Sequence, residues 1–139
     1  MLYVSEYLAN KLLDHVFKNT AYTAPATVYV GLYKALPLFN TATPGSEVSG
    51  GSYARKAITF GTGADDGMIL STAKVTFPTP TADWATAAAP CVCAIVLDAL
   101  TDGNWLIASD LCPLIVLNGA SAPEIEVGGY QAFIGPAGH

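Results

Sequence analysis

The chain has 139 residues, of which 52% are apolar and only 12% charged, with a mean hydropathy of +0.41. That balance excludes a disordered tail, which needs low hydrophobicity and high net charge, and the length suits one domain spanning 1–139. A net charge of −5 and a pI near 4.6 argue against a nucleic-acid partner, which calls for a basic face.

The first element in chain order is a helix over residues 5–18. Ser5 supplies an N-cap and Glu6 an acidic first turn. Leu8, Leu12 and Val16, flanked by Ala9 and Leu13, form an apolar stripe opposite Asn10, Lys11, Asp14 and Lys18. The leading MLYVSEYLANKLLDH has neither a basic leader nor a continuous apolar run, so it does not read as a secretory signal. Synthesis in the cytosol is the expectation.

Strands follow from about residue 26 to 135. ATVYVGLYKA (26–35) alternates in the manner of a strand. The segment from Lys34 to Ser52 is rich in Pro and Gly turns, YARKAITF (53–60) is a second strand, and GTGADDG (61–67) a loop. MILSTAKVTF (68–77) and PCVCAIVLDAL (90–100) are further strands, the latter apolar enough to be covered on both faces. Asp102-Gly103 signals a hairpin leading into NWLIASDL (104–111). PLIVLNG (113–119) and PEIEVGGYQAFIG (123–135) complete the set. Seven to nine short strands with one N-terminal α-helix predict a mainly β, single-domain antiparallel β-sandwich, jelly-roll-like in character. No internal repeat or separable linker interrupts it. The longest uncharged apolar run, Trp84–Leu97, contains Pro90 and falls short of the roughly 20 residues that span a bilayer, so no membrane association is expected.

Chemistry-bearing residues are few. GTGADDG lacks the Lys-Ser/Thr of a phosphate loop, and Asp65-Asp66 lack the ligand spacing of an EF-hand. Glu124 and Glu126 alternate along a strand as one wet face. His15 on the helix and the terminal His139 have no marked catalytic partner. Cys91 and Cys93 alternate towards one face, while Cys112 lies beyond the next strand. Three cysteines at these spacings suit neither a disulfide framework nor a structural zinc site. They read as buried small hydrophobes. Neither a cofactor, a metal nor a catalytic centre is therefore expected, and the chain reads as no enzyme. Trp84 and Trp105 could stack on a sugar ring but read first as core or interface anchors.

Six cations and eleven anions are a thin coat for the roughly 6,800 Å² that a monomer of this mass exposes. A homo-oligomer that shares its surface follows. Tyr53, Arg55, Trp84 and Trp105 are the candidate interface residues, because Tyr, Trp and Arg combine broad contact area with fixed hydrogen-bonding groups. For Arg55 two readings stand: it meets a neighbouring subunit's carboxylate, or it pairs with Glu47 and pins the loop.

The helix SEYLANKLLDHVFKNTAY, the strand TVYVGLYKALP and the stretch EVSGGSYARKAITF occur in an order and spacing that resemble a family of small bacteriophage virion proteins generally labelled phage tail fibre proteins, with related capsid decoration or cement proteins. The likeness continues through VTFPTPTADW and AIVLDALTDGNWLIASDL. It departs after Trp84, where AAAPCVCAIV replaces bulkier, more aromatic residues. The resemblance implies a β fold, a place in the virion and partners among capsid or tail proteins. It carries no catalytic residues. Capsid decoration is the first expectation, since 139 residues leave no room for a fibre shaft. A tail-fibre subunit is second and a host-glycan-binding module third.

Overall fold

The computed structural model describes residues 2–42, 44–61 and 63–134, without the side chain of Cys112. His139, Gly135 and the Cys112 side chain therefore lie outside the described residues. Among the described residues the fold is mainly β, with a single helix and antiparallel sheets. No helix among the described residues is long and apolar enough to cross a membrane.

A five-stranded antiparallel sheet forms the centre, in the order β1 (Leu2–Val4), β7 (Trp105–Leu114), β6 (Cys91–Leu97), β2 (Val28–Tyr33) and β3 (Lys56–Ile58). In β6 every residue except Val92 is buried. Ala94 and Val96 face one core cluster, together with Val30, Leu32 and Leu106. Ile95 and Leu97 face a second cluster, with Tyr33, Trp105 and Ala108. The apolar run was thus legible as a strand covered on both sides.

The second layer is a bent ribbon. The expected strand 68–77 divides into β4 (Met68–Leu70) and β5 (Val75–Thr76). The expected strand 123–135 divides into β8 (Glu124–Ile125) and β9 (Gln131–Phe133). β4 pairs with β9 and β5 with β8. Between the two pairings Ser71 holds the bend: its N–H donates to Tyr130 O, its carbonyl accepts from Gly128 N–H and its hydroxyl accepts from Tyr130 N–H. The bend lets Val75, Phe77 and Tyr130 wrap onto the central sheet, which one straight strand could not do.

Three other expectations are corrected. The strand 53–60 is reduced to Lys56–Ile58, because residues 53–55 turn away to serve the cluster described below. The segments 104–111 and 113–119 merge into the long β7, after which Val116 makes only an isolated bridge to Ala85. A register shift between Cys91 and Cys93 sends these residues to opposite faces, Cys91 into one cluster and Cys93 into the other. An irregularity of this kind breaks the two-residue period on which the one-face reading rested.

α1 (Glu6–Phe17) begins at Ser5, whose hydroxyl accepts from Leu8 N–H at 3.1 Å. The helix has no fully buried residue. Tyr7 and Leu8 pack onto the core, whereas Leu13, Val16 and Phe17 are 55%, 65% and 78% exposed. The apolar stripe is real, but only its first half is covered.

Candidate functional site: an arginine-centred knot

The segment Glu47–Arg55 owes its path to the turn Gly50-Gly51-Ser52, all three with positive φ. At Gly51 a β-carbon would come within 3.0 Å of the Trp84 ring nitrogen and 2.9 Å of Ala82 Cβ. The turn delivers Tyr53 and Arg55 beside Glu47. Arg55 Nε and Nη2 grip the two Glu47 carboxylate oxygens at 2.9 Å each, the two-pronged geometry that suits guanidinium to carboxylate.

The remaining donors are also used. Nη1 donates to the carbonyls of Ala99 and Asp102, each at 2.9 Å, and Nη2 donates to the Tyr33 hydroxyl at 3.3 Å. A guanidinium has five N–H groups, and all five of Arg55's find acceptors. The side chain is 6% exposed and that of Glu47 24%. Burial is the largest single influence on the Arg55 pKa and works to lower it, but the hydrogen bonds and charges of Glu47 and Tyr33 together outweigh it and the pKa rises.

Tyr53 completes the arrangement. Its hydroxyl donates to Glu47 Oε2 at 2.8 Å and accepts from Leu32 N–H at 2.9 Å. On that side of β2 the ladder to β3 ends at Val30, and a new bridge to Glu47 begins at Tyr33. Tyr53 supplies the ladder bond at the break, and so satisfies a backbone donor that burial would make costly. Its ring lies edge-on to Trp84 at 5.3 Å and stacks with Phe77 at 6.3 Å. Burial, followed by the nearby Glu47 charge, raises the pKa of both Tyr33 and Tyr53 well above the ordinary phenol value.

Gly31 leaves the space for this. A β-carbon there would come within 2.9 Å of both Glu47 Oε2 and the Tyr53 hydroxyl oxygen. Glycine inside a strand often marks such a close approach, so Gly31 in VYVGLY was a readable signal. Tyr33 and the carbonyls of Ala99 and Asp102 gave none, because only the fold brings the β6–β7 hairpin tip to residues 47–55. The β6–β7 hairpin closes with Asp98 N–H donating to Asn104 O, so its loop runs over residues 99–103, longer than the two-residue turn that Asp102-Gly103 signals, and Asp102 and Gly103 both have positive φ within it.

Of the candidate interface residues, Tyr53 and Arg55 are joined through Glu47, and Trp84 packs against Tyr53 while donating to Gly51 O at 2.8 Å. Trp105 sits apart in the second cluster, its ring N–H donating to Thr41 O at 2.7 Å. Both indoles are 1% exposed. Elsewhere, His15 is exposed with Nδ1 3.3 Å from Thr20 O. Lys74 lies between Glu124 and Glu126, at 2.6 and 3.7 Å. Cys93 is fully buried, donates to Ala35 O at 3.2 Å, and has its thiol pKa pushed up to about 12 by burial. Among the described residues no group of three His, Cys, Asp or Glu side chains could hold a metal ion.

The Arg55–Glu47 pair is thus spent inward, tying a loop, a strand and a hairpin tip together. The chain belongs to the family described as "Podophage GP4 fiber I protein gp80", whose model matches residues 3–131. It is a phage structural protein and a component of the virion. No curated protein matches the sequence.

Proposed function

We propose that the chain is a non-enzymatic structural subunit of a phage tail fibre, acting through contacts with other virion proteins and with copies of itself. The observation that carries this reading is the match over residues 3–131 to a fibre protein family. It favours the fibre over capsid decoration. The length argument for the capsid bears only on a shaft built within one chain, and a shaft built from many copies escapes it. The thin charge coat supports sharing of surface.

In this reading Tyr53, Arg55, Trp84 and Trp105 serve assembly indirectly, by holding the loops and the hairpin tip in a fixed shape for partners. The glycan-binding alternative draws no support from Trp84 and Trp105, whose buried ring faces offer a sugar nothing to stack on. The test is disruption of the gene in the phage. Particles should keep filled heads of unchanged heat resistance, lose fibre density in electron micrographs and adsorb poorly to host cells. Heads that leak or burst while fibres persist would restore the capsid reading.

A further inference from the structure

We propose that the exposed end of α1 in one copy seats in an apolar cleft of a second copy. The proposal rests on the fibre-subunit reading and names the contact by which such subunits would join. The cleft has a volume of about 390 Å³ and is lined by Leu8 and Leu12 of α1 together with Met68, Ile69 and Phe133 of β4 and β9. One turn beyond Leu12, Val16 continues the same stripe but is exposed, as are Leu13 and Phe17. Concave and convex apolar surfaces thus adjoin on one molecule. α1 runs unbroken to Phe17, so its own end cannot bend back into its own cleft.

Charge favours a second copy as the occupant. On the outer half of the helix Lys11 and Lys18 are exposed, with exposed Asp14 between them, which leaves a net positive charge next to Phe17. The lip of the cleft carries exposed Asp65 and Asp66, in the turn between the cleft-lining Ala64 and Gly67. Each copy supplies both halves of the contact.

The experiment is sedimentation equilibrium of the purified full chain at moderate salt, for the wild type, Phe17→Asp, Lys18→Glu, Asp65→Lys and the Lys18→Glu/Asp65→Lys pair. Phe17→Asp should weaken self-association roughly 30-fold or more, with circular dichroism unchanged because Phe17 is exposed in the free chain. Each charge reversal should weaken it several-fold, and the pair should regain most of the loss. Unchanged association in Phe17→Asp, or a double reversal no tighter than either single one, would overturn the contact. So would a wild type that stays monomeric yet enters fibres, which leaves the fibre reading standing. Variants that associate normally but are absent from virions would count against the fibre reading, not this contact.

Discussion

At Arg55 the guanidinium has no donor left for a neighbouring subunit, since Glu47, Tyr33, Ala99 and Asp102 take all five. Of the two readings of the sequence, the local pairing is the one that the geometry supports. Arg55→Ala leaves Glu47 and two carbonyls short of partners, and should cost about 2–4 kcal/mol, less than a fully buried pair because Glu47 is partly exposed. Arg55→Lys should recover little of this, as an ammonium cannot reproduce the fork. Urea midpoints measure both; a midpoint that stays put while assembly fails would move Arg55 to a contact face. Alkali gives a second residue-scale test. The Tyr33, Tyr53, Tyr130 and Cys93 pKa values are all raised, with burial the largest cause. The fold therefore holds these protons more tightly than the unfolded chain does. The stability is complete below the ordinary pKa values and is lost as pH rises through about 9–10 and beyond. Each such group should contribute a slope of about 1.4 kcal/mol per pH unit, visible as urea midpoints that fall above pH 9.

Among the elements, β2 and α1 carry the sharpest expectations. Gly31→Ala puts a methyl against Glu47 and Tyr53 and should lower the thermal midpoint by several degrees, whereas Gly45→Ala, which meets nothing within 4 Å, should not. Ser5→Ala removes the α1 cap and should cost about 1 kcal/mol, read by the same melting experiment. The sequence made α1, β2 and β6 legible because cap, stripe and apolar runs are local signals. β1 was missed: three residues ahead of a helix gain strand character only by pairing with Ile107–Ser109. The break at Ser71 was invisible for the same reason, since its partners Gly128 and Tyr130 lie far along the chain. The knot was half legible. Glu47, Arg55 and Gly31 announce themselves, but the hairpin-tip carbonyls and Tyr33 arrive only through the register of β2, β6 and β7.

For the molecule as a whole, charge is scarce and unevenly used. Arg55 is sealed into the knot and Lys74 is bound to Glu124 and Glu126, while large apolar side chains stand exposed on α1, at Leu38 and Phe39, and at Ile134. A surface of this kind gains by being shared, and apolar burial contributes roughly 25 cal/mol per Å² before the costs of association. That fits the proposed role in assembly, and the family makes the chain a component of the virion. The most direct measurement of the central claim is gold-labelled antibody against the chain on intact, purified phage particles under the electron microscope. The account predicts label on the fibres at the tail; label spread over the head would contradict it.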